Sequence, residues 1–284
     1  MSHPEKPTVV LLHSSGSSSR QWASLAAMLE PRYRVRAVDL HGHGRQAPWR
    51  ENEAFALADD TSLAASHLDA VDGAHVVGHS YGAAVALKLA SMHPRRVRSV
   101  VAYEPVMLRW LLDDDRGRRL ARDIAAVAAR LRRRLWLGDE DAAARQFIDF
   151  WSGGGAWDAM AADRRQAIAA RMGAVTLQFD ALFDEPLRAA QLARLRIPML
   201  FLSGAESPAI ALHLSGLLRA GIPGADHETM PGMGHMGPIT HATEVNRRIA
   251  GFFRARDHAG CSPSPPRRWP PRGPVPQRGP RPRP

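Results

Sequence analysis

The chain has 284 residues, of which 45% are hydrophobic, so it is long enough to bury a sizeable core. Its formal net charge is +10, but six arginines and only one aspartate lie in residues 257–284, so half of the excess belongs to this segment and a basic nucleic-acid-binding domain is not favoured. The single cysteine, Cys261, excludes an intrachain disulfide and favours a cytoplasmic location, and the apolar run at 8–12 is too short for a signal sequence or a membrane span.

Short apolar runs alternate with longer helical patterns along the chain. Runs rich in valine and leucine predict strands at 8–12, 33–40, 75–79, 97–103, 198–203 and 227–230. Apolar residues at helical spacing predict helices at 22–29, 63–71, 83–92, 210–218 and 243–253. Because strands that alternate with helices form βαβ units, the sequence predicts an α/β fold with a mostly parallel sheet flanked by helices.

The alternation stops between residues 105 and 197, where the pattern is helical throughout. This stretch is much longer than a crossover between two parallel strands requires. We therefore predict a helical cap at 108–195, inserted into a core made of 1–107 and 196–256. Residues 257–284 hold ten of the 22 prolines, and we predict that this tail is disordered.

Two groups of residues mark the predicted cap. Its first half carries nine arginines between positions 109 and 134, with aspartates interspersed, which is typical of a solvated helical face with salt bridges. Its second half concentrates aromatic side chains around three glycines: Phe147, Phe150, Trp151 and Trp157. Packing inside the cap is the favoured interpretation of these aromatic residues, and lining a pocket is the alternative.

The pentapeptide Gly78-His79-Ser80-Tyr81-Gly82 lies between an apolar strand and a helix rich in alanine and leucine. A strand-to-helix turn this tight needs small residues on either side, because the two backbones approach each other closely. It exposes Ser80 at the carboxyl end of the sheet, near a helix N-terminus that favours negative charge. Ser80 is therefore the predicted nucleophile, and a serine that only caps the helix is the alternative.

Together with two further motifs, this pentapeptide makes residues 8 to about 255 resemble the serine hydrolases of the α/β-hydrolase fold. The segment LLHSSGSSSRQW at 11–22 is similar to the family's HG loop, with Ser14 in place of the usual glycine. The resemblance implies an oxyanion hole made by the backbone N–H groups of Ser15 and Tyr81. A second segment, DLHGHG at 39–44, is similar to a structural turn of the family, so we interpret His41 and His43 as turn residues.

The resemblance also implies a base and an orienting acid for Ser80. His235 lies in the glycine-rich loop PGMGHMGP at 231–238, where the family places the base, whereas the nearby His241 is interpreted as opening the last helix. Most relatives place the acid three residues after a glycine that follows the penultimate strand, but this position is Ser207. We predict Glu104, which ends the strand after the nucleophile helix where some members place their acid, with the displaced Glu206 as the alternative.

These residues predict a serine hydrolase that cleaves an ester or a related acyl bond of a small, mainly apolar substrate. Family members that act on haloalkanes or epoxides carry aspartate at the nucleophile position, so the serine favours acyl chemistry. We expect no metal and no cofactor, because neither a metal-ligand spacing nor a nucleotide-binding glycine loop is found. Two alternatives stay open: a non-enzymatic ligand-binding or receptor-like protein on the same fold, and, less favoured, nucleic-acid binding through the arginine-rich tail. The sequence does not indicate an oligomeric state.

Overall fold

The computed structural model describes residues 6–50, 53–69 and 73–260. Within these ranges the strands are β1 (Thr8–Leu12), β2 (Arg34–Val38), β3 (Ala74–His79), β4 (Val97–Tyr103), β5 (Met199–Gly204) and β6 (Asp226–Met230). They form one sheet in the order β2-β1-β3-β4-β5-β6, and every neighbouring pair is parallel. The predicted α/β fold with a mostly parallel sheet is confirmed.

The helices of the described ranges are α1 (Ala23–Leu29), α2 (Leu57–Ala65), α3 (Tyr81–Met92), α4 (Asp115–Trp136), α5 (Glu140–Ser152), α6 (Ala162–Ala169), α7 (Met172–Asp184), α8 (Ala189–Ala193), α9 (Ala209–Gly221), α10 (Gly237–Thr240) and α11 (Ala242–Gly260). Two short 3₁₀ segments precede α1 and α4, at Ser19–Trp22 and Leu108–Asp113. None of the helices in the described part of the chain combines the length and the apolar composition that crossing a bilayer requires.

The apolar side chains of the sheet point alternately to two cores, as the two-residue period of a strand requires. In β1, Val9 and Leu11 pack with residues of α1 and α11, whereas Val10 and Leu12 pack with residues of α2 and α3 on the opposite face. All five residues of β1 are buried, which explains why four of them are valine or leucine. Helices therefore cover both faces of the sheet.

The sheet order changes direction between β1 and β3, because the chain leaves β1 toward β2 and returns to β3 on the other side. In an open α/β sheet the crevice at such a point, outside the carboxyl ends of the strands, is where ligands bind. Ser80 directly follows β3, and residues 13–16 directly follow β1. The topology therefore brings the two predicted parts of the site to the same edge of the sheet.

The chain between β4 and β5 is helical and contains no strand, and all of its residues are described. Its apolar side chains belong to the same core cluster as those of α2 and α3. The arginine-rich helix α4 presents a charged face with ion pairs to carboxylates, among them Arg134 to Asp139 at 3.2 Å. We call residues 108–195 the helical segment.

The structure corrects two predicted elements. The helix expected at 63–71 lies earlier, as α2, because the Asp59 carboxylate accepts a hydrogen bond from Ala56 N and so caps an earlier start. The last helix extends to Gly260, so residues 257–260, predicted as the start of the tail, are helical. Asp257 fixes this end to the fold through the Tyr33 hydroxyl and lies 3.5 Å from the ring of His75. Residues 261–284, including Cys261, lie outside the described residues.

Candidate active site

Ser80 occupies the turn between β3 and α3 with φ 56° and ψ −115°. A positive φ is costly for a residue other than glycine, by about 1–3 kcal/mol, and is kept only where the surroundings enforce it. Gly78 and Gly82 make this turn possible: a Cβ on Gly78 would lie 2.5 Å from Ala83 Cα, and one on Gly82 would lie 2.6 Å from the carbonyl carbon of Leu12. The sequence-based interpretation of the two glycines thus has a steric cause.

We expect Gly82→Ala to destabilise the protein by about 1–3 kcal/mol, because the new methyl group forces α3 away from β1. At the size of this chain that corresponds to a fall in Tm of roughly 2–10 °C in a thermal unfolding experiment. Gly173→Ala is the matched control, since Gly173 is exposed on α7 and a Cβ there meets no atom within 4 Å. A Gly82→Ala protein as stable as the control would contradict the steric argument.

The structure brings together Ser80, His235 and Glu104. The Ser80 hydroxyl lies 2.9 Å from His235 Nε2, and His235 Nδ1 lies 2.7 Å from Glu104 Oε2. All three side chains are buried. In this chain of hydrogen bonds the histidine donates from Nδ1 to the carboxylate and accepts at Nε2, which is the tautomer that a base for the hydroxyl requires.

Glu104 follows β4 directly and also has a positive φ, 45°. Ser80 and Glu104 are the two residues other than glycine with this conformation in the described ranges. The backbone hydrogen bonds of the sheet continue to both residues: Ser80 N donates to Tyr103 O, and Glu104 N donates to Leu202 O. The sheet therefore holds the two residues on adjacent strands.

The second carboxylate oxygen of Glu104 is also bound. Oε1 accepts hydrogen bonds from Gly204 N at 2.7 Å and from the Ser207 hydroxyl at 2.5 Å. Ser207 lies where the resemblance implies an acid, and here its hydroxyl donates to the predicted acid, Glu104. The sequence analysis did not assign it this contact.

The structure does not bring the alternative acid, Glu206, to the base. Its side chain is exposed, and His235 Nδ1 is hydrogen-bonded to Glu104 instead. Glu206 N donates to Met233 O, which holds its backbone against the histidine loop, and Glu206 lines a cavity that His235 also borders. The other histidine considered, His241, is exposed and bonds to the neighbouring Thr240.

The His235 loop is held by two buried residues that the sequence analysis did not single out. The Tyr103 hydroxyl donates to Gly234 O at 2.8 Å, and His79 Nε2 donates to the carbonyl oxygen of His235, also at 2.8 Å. His79 Nδ1 in turn accepts from the Gln21 amide. Burial keeps the pKa of His79 well below its usual value, so the ring is neutral and makes one bond of each kind.

Gln21 connects the histidine loop to the loop after β1. Its amide oxygen accepts hydrogen bonds from both the backbone N–H and the hydroxyl of Ser14. Ser14 replaces the family's usual glycine, and its hydroxyl is thus used inside the site. Substituting serine for glycine here adds a contact to the loop.

Two neutral histidines hold the backbone of residues 13–16. His13 Nε2 accepts from Leu40 N, and His43 Nε2 accepts from Gly16 N. Burial lowers the pKa of His13 to about 4 and that of His43 to about 3, so both rings stay uncharged and keep an acceptor nitrogen at neutral pH. His43, together with His41, lies in the turn after β2, so its ring also ties that turn to the loop after β1.

The two residues predicted to supply the oxyanion-hole N–H groups are Tyr81, which follows Ser80 in the chain, and Ser15. Tyr81 is the first residue of α3, and Ser15 lines a cavity together with Ser80. No acceptor of the described chain is bonded to the backbone N–H of either residue. The side chains are used elsewhere: the Tyr81 hydroxyl donates to the buried Asp60, and the Ser15 hydroxyl donates to Gln178 on α7.

A cavity of about 590 Å³ opens beside Ser80 and His235. The helical segment supplies much of its apolar wall through Phe147, Ile148, Trp151, Met160 and Ile168. The Trp151 ring is stacked on the His235 ring, with centroids 4.3 Å apart. Of the four aromatic residues noted in the sequence, Phe147 and Trp151 line this cavity and are also buried. Phe150 is half-buried and does not line it, and Trp157 is buried away from it.

A model of the alpha/beta hydrolase family matches residues 9–248, and the chain belongs to this family. Family membership supports hydrolase activity. MGS-M2, an alpha/beta hydrolase enzyme from a Medee basin deep-sea metagenome library, superposes with a TM-score of 0.73 over 89% of this chain and 91% of that one, at 16% sequence identity. At that identity the likeness shows the fold alone.

Relatives whose names state an activity match this chain over shorter stretches. Epoxide hydrolase B of Mycobacterium tuberculosis is 37% identical over 98 residues, which are 34% of this chain and 28% of that protein. Pimeloyl-(acyl-carrier protein) methyl ester esterase of Chromobacterium violaceum is 38% identical over 105 residues, which are 36% of this chain and 39% of that protein. Across these two and the other curated relatives that the chain matches, the matched stretch covers between 25% and 39% of the relative's length.

Proposed function

We propose that the protein is a serine hydrolase that cleaves an ester or a related acyl bond of a small, mainly apolar substrate. The observation that carries the proposal is the hydrogen-bonded chain from Ser80 through His235 to Glu104, which begins at a strained serine beside an open cavity. A serine hydroxyl is a weak nucleophile at neutral pH, and an adjacent base with an orienting acid is the arrangement that activates it.

In the proposed acylation step, Ser80 Oγ forms a bond to the substrate carbonyl carbon while His235 Nε2 takes the hydroxyl proton. Glu104 stabilises the resulting imidazolium and holds the ring in place. The N–H groups of Ser15 and Tyr81 donate to the oxyanion of the tetrahedral intermediate. His235 then gives its proton to the leaving alcohol, the bond between carbonyl carbon and alcohol oxygen breaks, and the acyl group stays on Ser80.

Water completes the reaction by the same route. His235 removes a proton from a water molecule, whose oxygen attacks the acyl carbon, and the proton passes to Ser80 Oγ as the acyl–serine bond breaks. The products are a carboxylic acid and an alcohol. Two donors on Glu104 Oε1 hold the carboxylate through both steps, so the imidazolium meets a fixed charge each time it forms.

We also propose that the helical segment acts as a cap over the core formed by residues 1–107 and 196–256. Phe147 and Trp151 line the cavity beside Ser80, and the stacked indole of Trp151 shields the His235 ring from solvent. The apolar wall supports a mainly apolar substrate. In this proposal the cap determines which substrates reach the serine.

Relatives of this chain include an epoxide hydrolase and an ester hydrolase. Ser80 at the nucleophile position supports the acyl reaction, because family members that act on epoxides or haloalkanes carry aspartate at this position. A non-enzymatic ligand-binding protein would need the cavity, but it would not need the hydrogen bonds of His235 to Glu104 and Ser80 or the strained backbone of Ser80. The two strained residues, Ser80 and Glu104, therefore favour the enzyme.

Covalent labelling tests the proposal. We expect a fluorophosphonate probe to attach to Ser80, identified by mass spectrometry of the peptide that contains it, because such probes react with activated serines. His235→Ala should label far more slowly, since the hydroxyl then lacks its base. Ser203, a buried serine on β5 whose hydroxyl pairs with Thr229, is the internal control and should stay unlabelled. No labelling of Ser80 in either protein would support the ligand-binding alternative, whereas equal labelling in both would mean that His235 does not act as the base for Ser80.

A further inference from the structure

A second, much smaller pocket also borders Ser80. Its volume is about 10 Å³, which is about the room for one water-sized group. Ser80, Ser15, Phe147 and Trp151 border both this pocket and the large cavity, so the two meet at the serine. The remaining residues of the small pocket are apolar except for one: Val106, Leu108, Val175, Gln178, Phe179 and Leu182.

Gln178 is the polar residue of that wall, and one of its amide atoms has no partner. Its side chain is 98% buried on α7, since 2% of it is exposed. Oε1 accepts the hydrogen bond from the Ser15 hydroxyl at 2.6 Å, whereas Nε2 is bonded to no acceptor in the described ranges. Buried donors are nearly always paired, because leaving one unpaired is unfavourable, so an unpaired donor on a residue that lines a pocket beside a nucleophile points to a ligand atom.

The position of His235 distinguishes the two pockets, if the function proposed above holds. The base must return its proton to the leaving oxygen, so the alcohol part of the substrate lies where His235 is within reach. His235 lines the large cavity and does not line the small pocket. The large cavity therefore takes the alcohol part, and the small pocket takes the acyl part.

We infer that the small pocket is an acyl subsite in which Gln178 Nε2 donates a hydrogen bond to an oxygen atom of the substrate's acyl group. Because the pocket has room for about one small group, this oxygen is carried by the carbon next to the reacting carbonyl. The substrate class is thus an ester of a short 2-hydroxy or 2-oxo acid. Gln178 sets this specificity and, through Ser15, also holds the loop of the oxyanion hole.

A matched pair of esters tests the subsite. p-Nitrophenyl glycolate and p-nitrophenyl propanoate have acyl groups of the same size, but only the first has an oxygen on the second carbon. We expect Gln178→Met to lower the ratio of their kcat/KM values by about 10- to 100-fold relative to the natural protein. The different intrinsic reactivities of the two esters affect every variant alike and cancel in this comparison. Leu177→Met, at an exposed neighbour on α7, is the control and should leave the ratio unchanged.

Ser15→Ala separates a substrate contact from an indirect effect. Ser15→Ala removes the hydroxyl bonded to Gln178 but keeps the backbone N–H. If Gln178 acts only through Ser15, then Ser15→Ala and Gln178→Met should each slow both esters equally and leave the ratio of their kcat/KM values unchanged. That outcome overturns the subsite while the proposed hydrolase stands. Absence of Ser80-dependent hydrolysis of both esters overturns the hydrolase and the subsite with it.

The natural protein gives a second readout without any variant. Free glycolate should inhibit at least about tenfold more strongly than propanoate, and equal inhibition counts against the subsite.

Discussion

Ser80→Ala is expected to lower kcat/KM for a p-nitrophenyl ester by at least about a thousandfold. The variant keeps the cavity and the backbone donors of Ser15 and Tyr81, so only the catalysis that these donors and substrate binding supply should remain. Alanine is smaller than serine, and the close packing at Gly78 and Gly82, not the hydroxyl, enforces the turn between β3 and α3, in which residue 80 has φ 56°. The measurement is steady-state hydrolysis by the purified variant, with its far-ultraviolet circular dichroism as a check of folding.

Ser203→Ala provides the comparison for that experiment. Ser203 is also buried at the end of a central strand, but its hydroxyl pairs with Thr229 and lies outside the cavity beside Ser80. Its loss should change the rate by less than about tenfold, since only packing on β5 is affected. Turnover by Ser80→Ala at the rate of this control would mean that another group carries the reaction.

Glu104→Gln is expected to reduce the rate by a factor on the order of 10² to 10⁴ while leaving the fold intact. Glu104 accepts at both oxygens, from His235 Nδ1 on one side and from Gly204 N and Ser207 on the other. An amide has one oxygen and one nitrogen, so whichever way glutamine turns, a donor faces a donor. The histidine then loses either its preferred tautomer or its orientation, and the imidazolium loses its counter-charge.

Glu206→Gln distinguishes this assignment from the alternative acid. Glu206 is exposed and its carboxylate does not bond to His235, so screening by solvent should keep its effect below about tenfold. The two variants are compared by kcat/KM and by Tm, because a structural loss at Glu104 would lower both. A larger rate loss in Glu206→Gln than in Glu104→Gln would return the acid to the loop after β5.

Local patterns were sufficient to predict most of the sheet. The bounds of β1 and β4 agree with the prediction, because both strands are rich in valine or leucine and end at polar or turn-forming residues. The position of α2 was wrong, because the apolar spacing predicted a helix at 63–71 whereas the capping carboxylate of Asp59 starts the helix at Leu57. The end of α11 was also wrong, since a composition rule for the tail cannot anticipate the contact of Asp257 with Tyr33.

At the candidate site, too, local patterns predict some residues and not others. Ser80 and His235 follow from short motifs, and Glu104 follows from the absence of an acid at the usual position. The supporting contacts have no local signature, because their partners are far apart in the chain: Ser15 and Gln178 are separated by 163 positions. A glutamine inside a helical pattern gives no sign that one of its amide atoms meets the loop after β1 and the other is left without a partner.

The stretch from Glu104 to Leu108 joins two tasks in five consecutive residues. Glu104 holds the histidine, and Val106 and Leu108 form part of the small pocket, just before the chain enters α4. A chimaera that takes helices α4 to α8 from another protein and is joined after Leu108 would keep Glu104 and its contacts, but the new helices would have to supply the rest of the small pocket's wall, which here includes Phe147, Gln178 and Phe179.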